Sequence, residues 1–573
     1  MNAVFLIVIV LCVFVMGYRF YVKFLVLGVF RPRKDVTTPA HQQADPHDYS
    51  ACNRWLLFGY HAAASVGLVS ITGVGIGVAW GWVPAFLWIV VGTLVAGGIY
   101  SLASLWSSLR DGGNSMAGVI FEAAGAWAAL PVFLLGVALL VSMCALTTVL
   151  LGQLLQAHPD ATWFFLSLAA SAWPLRRMLS SHSRLARFMW VAATTGLLIT
   201  GMFLGQMFPL SIGGELALDI NGDEVLQIPN ETPWVAVALV VAFRSIDAPI
   251  SAIGRPRGVV VGILLALVML LTVSGLVLSA PTIVAPEFNV ETTLPDLFPL
   301  LFLAISAGSI SGVTALIATG PTMRQINQHK DAPVITFGSA IINGALAVLV
   351  LAVLCAGFSE TGEWSSMYGS LPDRADVFAW LDLAVTKMGR FVAALGVPLH
   401  LAVTMVAAIV ASMALTMLES TLRALSFSVE EFAEDFSVER LRGRKKRARI
   451  ATGIVVVATC FALQVDLGLN HWLFLGLTNQ LFAGTVMLML SLVLFKHSRG
   501  MTFVLVPGLF VLICATWGLF WLLLDWWNSG HWALLFMASA GGLLGVAAVV
   551  AAIKAFVKER RRLGTASAST SAP

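Results

Sequence analysis

Apolar residues run in stretches of about 20 along nearly the whole chain, and polar residues are confined to the gaps between them. About 20 helical residues are needed to cross a hydrocarbon core of about 30 Å. The pattern therefore predicts a bundle of membrane-spanning helices. Fifteen spans are expected: 2–17, 56–80, 82–106, 125–150, 161–175, 187–209, 232–251, 258–280, 297–319, 334–358, 391–420, 450–466, 471–495, 501–524 and 532–553.

Charge fixes their orientation. Thirty of the 34 Lys and Arg residues fall in alternate gaps; Arg374, Lys387 and Arg390 lie in the other gaps, and Arg244 lies inside a span. Positive residues hold loops on the cytoplasmic side. The basic set includes Arg31, Arg33 and Lys34; Arg176, Arg177, Arg184 and Arg187; Arg440 to Arg449; and Lys554 to Arg562. The opposite gaps are acidic: Glu215, Asp219, Asp223 and Glu224; Glu287, Glu291 and Asp296; Glu360, Glu363, Asp373 and Asp376. The N-terminus is expected outside and the C-terminus in the cytoplasm.

Composition excludes a soluble domain. Hydrophobic residues make up 58% and charged residues 11%, against about 25% charged in soluble proteins. The six cysteines (Cys12, Cys52, Cys144, Cys355, Cys460, Cys514) show no metal spacing and read as reduced, packed thiols. The first apolar run lacks a basic start and a small-residue cleavage site, so it reads as a retained helix. No nucleic-acid module, nucleotide-binding domain or phosphate loop is visible. Thr565 to Pro573 is small and polar and is expected to be disordered.

The order of spans carries its own signal. Spans two to six and seven to eleven form two sets of five that start from opposite sides of the membrane. That is the inverted repeat of many secondary transporters, in which the first helix of each repeat is broken near mid-membrane. Span two is studded with Gly59, Gly67, Gly73, Gly75, Gly77 and Gly81, and unwinding is expected from Gly67 to Gly75. Span seven has Asp247-Ala248-Pro249 near its inner half and is expected to be broken too. The alternative for the glycines is close helix packing.

Local motifs then fall in a recognisable order: Tyr18-Arg19-Phe20-Tyr21, Thr38-Pro39-Ala40, Asp45-x-x-Asp48-Tyr49, Leu57-Phe58-Gly59-x-His61, Gly81-Trp82-Val83-Pro84, Pro256-Arg257, Ser311-Gly312, Thr319-Gly320-Pro321-Thr322, Leu418-Glu419-Ser420-Thr421-x-Arg423 and Asn479-Gln480-Leu481-x-Ala483. From about Gly17 to Leu490 the chain resembles the carbon-starvation protein A family of bacterial inner-membrane transporters. The resemblance implies a leucine-transporter-like 5+5 inverted-repeat core with extra terminal helices. It also implies uptake of peptides or pyruvate, ion-coupled and induced in carbon starvation. The chain departs from the family pattern at Tyr60, Val69 and Ser70, at Gly258, Thr314 and Asn343, and at Glu419, which stands where the family has Asp. It reads as a divergent member.

The expected organisation is a helix and cytoplasmic loop (1–55), two five-helix repeats (56–209 and 210–425), a basic loop (426–449), four accessory helices (450–556) and a disordered tail (557–573).

Candidate chemistry follows. Arg244 and Asp247, three apart, share a helix face, and a charge at bilayer depth costs about 3 kcal/mol. Arg244 is the candidate for holding a substrate carboxylate, with Asp247 beside it and with Gly67 and Ser70 at the break. The alternative is a structural ion pair. His61, Ser306, Ser309, Ser311 and Thr314 are candidates for ion coupling, by Na⁺ or H⁺; the alternative is ordinary hydroxyl-to-backbone bonding. Glu419 and Arg423, four apart, are candidates for a gate pair or an interfacial salt bridge. Asn479 and Gln480 are expected to lock helices together. No catalytic residue, resident metal or other cofactor is indicated, and the partners expected are substrate and membrane lipid. A sensor keeping the fold without turnover is the alternative function, although no output domain is visible. An enzyme or haem protein is disfavoured, because only His61 and His400 lie in or at spans.

Overall fold

The computed structural model describes every residue except 32–35, 46, 182, 214–215, 221–222, 291, 293, 295, 371–376, 437–444, 466–467 and 571–573. The charges called at Arg33, Lys34, Glu215, Glu291, Asp373, Arg374, Asp376 and Arg440 to Arg444 lie outside the described residues.

The fold is helical throughout, apart from one small hairpin. Helix α1 (Ala3–Met16) continues through two π-helical turns to Phe30, so the first span is longer than expected and takes in Arg19 and Lys23. A short α2 (Pro39–Gln42) precedes the broken span α3 (Arg54–Ser65) and α4 (Leu68–Gly77). Next come α5 (Trp82–Val91) and α6 (Gly98–Arg110), joined by a π turn, then α7 (Met116–Ala124) and the long α8 (Ala126–Ala157). Helices α9 (Thr162–Ala170), α10 (Ala172–Ser180) and α11 (Arg184–Met207) form a hairpin. Strands β1 (Leu216–Ile220) and β2 (Asp223–Ile228) pair antiparallel between α11 and α12 (Thr232–Asp247).

Helix α13 (Gly254–Ser279) leads to three short helices, α14 (Leu297–Ala304), α15 (Ser306–Ser309) and α16 (Gly312–Ile317). Then follow α17 (Ala332–Ala356), α18 (Thr361–Ser370), α19 (Val377–Ala393), α20 (Leu399–Asp435), α21 (Lys445–Val465), α22 (Leu469–Lys496), α23 (Thr502–Ser529) and α24 (Trp532–Thr570).

Among the described residues, ten helices are long and apolar enough to cross a membrane, and eleven if the bent pair α3–α4 counts as one span. The other four expected spans correspond to the divided α9–α10, the 16-residue α12, the interrupted α14–α16 and α21, whose apolar part is Arg449–Gln464. Other boundaries differ from expectation as well. Residues 391–393 belong to α19, because Gly396 (φ 92°) and Pro398 interrupt the chain before α20. Helix α20 runs on to Asp435, so the loop expected from 426 starts inside it. Helix α24 continues to Thr570, past the expected end of order at Val557.

Packing places the two broken segments at the centre. Helix α4 lies against α15 and α17, and the two longest inner helices, α8 and α20, run along each other. Helix α22 is buried over its whole apolar length and carries the C-terminal pair α23 and α24. Of the cysteines, Cys144, Cys355, Cys460 and Cys514 are buried, Cys52 is half-buried and Cys12 is exposed, and all six are free thiols.

Candidate functional site

The first break is short. Helix α3 closes with the Val66 N–H on the Ala62 carbonyl, and Val66 and Gly67 are extended (φ −98°, ψ 104°; φ −126°, ψ 176°). Helix α4 then leaves at 47° to α3. A Cβ at Gly67 would sit 2.2 Å from the Met417 sulfur. Unwinding stops there: Gly73, Gly75 and Gly77 are helical. They serve packing instead, since a Cβ at Gly73 would lie 2.5 Å from the Ala304 carbonyl oxygen and one at Gly77 would strike Ile305. The glycine run thus answers to both expected causes, in separate halves.

The second break is not where the span order put it. Helix α12 is continuous from Thr232 to Asp247, and the interrupted segment is 297–322. There Ile305 leaves the helical path, and Ile310 and Ser311 are extended. Backbone freed at such depth needs partners. Ser70 Oγ and Asn343 Nδ2 both donate to the Ala307 carbonyl, at 3.0 and 2.7 Å, and Trp472 Nε1 donates to Ala304 O at 3.1 Å. Asn479 accepts from Gly312 N–H at 2.6 Å and donates to Ile310 O at 3.3 Å, while Gln480 donates to Phe302 O at 3.3 Å. Asn479 and Gln480 thus bind the loose backbone of this segment directly.

A small polar cavity lies where α3, α6, α15–α16 and α17 meet. His61, Ser309, Ser311 and Thr314 line it, joined by Ser65, Ser101, Thr336, Ser339 and Asn343. Four of the five ion-coupling candidates therefore converge; Ser306 is buried but does not line the cavity. About 10 Å³ is left for the centre of a water-sized sphere, which is room for one water.

Five of the seven hydroxyls that line it have committed their protons. Ser65, Ser309, Thr336 and Ser339 donate to carbonyls one turn back (His61, Ile305, Ala332, Ile335), and Thr314 donates to Ser311 O. A hydroxyl has one proton and two lone pairs, so these five offer only lone pairs to a guest. Asn343 Oδ1 and Ser101 Oγ are buried without a hydrogen-bond partner. His61 Nδ1 is held by Thr322 Oγ1 at 2.8 Å. Thr336 and Ser339 escaped the sequence reading because membrane hydroxyls at i−4 spacing look alike wherever they face. Asn343 was visible as an amide where the family pattern has an acid.

Arg244 and Asp247 lie at the end of α12. Arg244 is exposed and Asp247 is exposed beside it. Helix α12 ends at Asp247, so Arg244 sits in its last turn. Asp247 pairs with Arg449 at 3.4 Å, and its carbonyl accepts from or faces His47 Nε2 at 2.9 Å. Arg449 also reaches Glu430 at 3.7 Å. The helix thus stops four residues short of the expected span end at 251.

Glu419 and Arg423 are buried, but each takes its partner from another element. Glu419 forms an ion pair with Arg257 of α13. Arg423 pairs with Asp48 at 3.2 Å and donates to the carbonyls of Ser245 and Ala248 at 2.9 and 3.1 Å. Tyr60 OH lies 3.1 Å from Ser420 Oγ in the same layer. The loop before α3, the end of α12, α13 and α20 are thus tied together at one end of the bundle. At the other end, Lys387 of α19 is buried. Its ammonium donates to Gly357 O at 2.7 Å, faces Glu363 at 3.6 Å and lies 3.5 Å from the Phe358 ring centroid. Burial pushes the Lys387 ammonium below its usual range, Arg390 adds to that, and Glu363 opposes it.

Two interrupted helices crossing beside a closed polar cavity, inside a sheath of apolar helices, define a multi-pass membrane protein whose core is built around irregular backbone. The chain belongs to the carbon starvation protein CstA family, whose model matches residues 2–370 and 365–518. It is 27% identical over 365 residues to a peptide transporter CstA of Mycobacterium tuberculosis, an alignment covering 61% of this chain and 46% of that protein. It is 24% identical over 601 residues to the peptide transporter CstA of Escherichia coli, covering 90% and 80%. It is 26% identical over 382 residues to the pyruvate/proton symporter BtsT of E. coli, covering 64% and 50%. The alignments thus span about half the length of several of these relatives. Among solved structures, it is similar to MhsT in complex with L-phenylalanine, at 15% identity and a TM-score of 0.48, covering 88% of this chain and 100% of that one.

Proposed function

We propose that the protein is a secondary active transporter of the bacterial inner membrane. It imports short peptides or small carboxylates such as pyruvate, driven by a monovalent cation bound in the cavity between the broken helices. The observation that carries this reading is the cavity itself, with its lone-pair oxygens and the unpartnered Asn343 Oδ1. Its lining contains no carboxylate, which suits a singly charged hard cation over a divalent one. Na⁺ fits better than H⁺, because the hydroxyl oxygens accept and the His61 ring is already engaged.

Packing supports an inverted repeat, with its members reassigned. Helices α3–α4, α5–α6, α8, α12 and α13 form one half, and α14–α16, α17, α20, α21 and α22 form the other. Each half begins with a broken helix, and in each a shorter helical stretch (α7; α18 and α19) precedes the long third member. Helix α13 packs on α3 as α22 packs on α14, and α8 meets α20 at the centre. The hairpin α9–α11 is an insertion between third and fourth members. Fifteen crossings then leave the N-terminus outside and the C-terminus in the cytoplasm, with the Arg257, Glu419, Arg423 and Asp48 layer as the closed inner gate. In this arrangement Gly67 and Ser70 stand at the substrate break, and Arg244 takes no part.

The test is uptake by proteoliposomes given pyruvate or di- and tripeptides, with an imposed Na⁺ or pH gradient. Uptake driven by Na⁺ and lost in Asn343→Leu, with folding retained, supports the reading. Uptake that ignores Na⁺ and survives Asn343→Leu overturns the cation assignment.

A further inference from the structure

We infer a binding site for one anionic phospholipid headgroup in the cleft between α7, the start of α8, the end of α22 and the extended end of α24. The inference stands on that cleft alone and does not depend on the transport reading. The cleft has a volume of about 580 Å³ and lies at the basic end of the bundle. Its cations come from two helices. Lys554, Lys558 and Arg562 follow one another at four-residue spacing and so share one face of α24. Lys496 stands at the end of α22 and donates to the Ala123 carbonyl, which holds its ammonium at the rim.

The acids lining the cleft are Glu122 and Glu559, so the formal balance of these six residues is two positive charges. The start of the 32-residue α8 adds to this. No side chain caps it, and a helix N-terminus favours an anion.

The geometry selects a lipid rather than a soluble anion. Trp127 is 80% exposed at the mouth, and the Lys554 ammonium lies 5.8 Å from its ring centroid. An exposed indole beside basic residues belongs at the membrane–water interface. Below it, Leu130 and Leu134 of α8 and Val546 and Val550 of α24 are exposed. They give the acyl chains an apolar track running from the cleft into the bilayer. Helix α24 is 39 residues long, about 58 Å at 1.5 Å per residue, while a hydrocarbon core needs about 20 residues. Its basic half therefore lies beyond the core, at the depth of the phosphates.

The experiment is native mass spectrometry of the full chain exchanged into mixed phosphatidylglycerol and phosphatidylcholine. The comparison is wild type against the triple variant Lys554→Gln, Lys558→Gln, Arg562→Gln. Each cation near an anionic surface contributes about fivefold in affinity, so loss of three should weaken retained phosphatidylglycerol on the order of 100-fold. Thermal unfolding in phosphatidylcholine alone should be unchanged, since all three side chains are exposed. Lys558→Glu alone provides the same reading if the triple variant does not fold, with a smaller loss expected. Equal retention of the two lipids, or unchanged phosphatidylglycerol retention in the variants, overturns the site. Displacement of the lipid by millimolar inorganic phosphate would overturn the lipid as occupant and point to a soluble anion.

Discussion

Glu419 of α20 and Arg257 of α13 form a buried ion pair, with side chains 5% and 2% exposed. A pair removed from water this completely is costly to break from one side, by about 3–5 kcal/mol. Glu419→Gln is therefore expected to lower the yield of folded protein. Adding Arg257→Leu should restore the yield, because no charge is then left buried alone. If the pair closes the inner gate, the double variant should leak substrate without a gradient. A tight double variant would confine the pair to folding.

Two glycines in close contact should behave differently. A Cβ at Gly67 meets the flexible end of Met417, whereas a Cβ at Gly97 would lie 2.3 Å from the backbone oxygen of Ser309. Met417 can turn away, but Ser309 is part of the broken segment. Gly97→Ala is expected to lower thermal stability by more than Gly67→Ala, and Met417→Ala should rescue Gly67→Ala.

Asn343→Asp places a carboxylate beside the lone-pair oxygens of the cavity. The expected result is tighter Na⁺ binding and an uptake rate that falls as the new acid protonates. Wild-type uptake should vary less over the same pH range. Identical pH profiles for the two proteins would count against a cation at this position.

Arg244→Leu is expected to insert, fold and transport as wild type, within about 0.5 kcal/mol in stability, as for surface changes generally. A loss of uptake with folding intact would restore Arg244 as a substrate ligand reached in another state.

Lys387 offers a pH test at the end of the bundle opposite Glu419. Its folded-state pKa is depressed by burial, so the unfolded chain holds the proton more tightly. Stability should rise as pH climbs through the depressed value toward the usual lysine range. Lys387→Met should remove that rise in a thermal scan between pH 8 and 10.

The apolar runs made the helical class legible, and the alternation of Lys and Arg supplied an orientation. His61, Ser309, Ser311 and Thr314 were legible as a set because each breaks an apolar face. The second broken helix was not, because counting spans in fives assumes that nothing is inserted. Helix α11 is itself long and apolar enough to cross a membrane, so hydropathy does not mark α9–α11 as an insertion in the proposed arrangement. Arg244 misled for a related reason: hydropathy does not mark that α12 stops at Asp247. The separate partners of Glu419 and Arg423 depend on Asp48 and Arg257, which are remote in sequence.

The ends of that hairpin lie close together. Gly152 near the end of α8 approaches Val235 at the start of α12, and a Cβ at Gly213 would touch the Asn230 carbonyl. The polypeptide thus leaves the core and returns to nearly the same spot. Such an excursion can lengthen, shorten or be exchanged over evolutionary time while the ten surrounding helices keep their register. It marks 158–231 as the stretch whose change in length should disturb the rest of the bundle least, and where a reporter domain is best grafted.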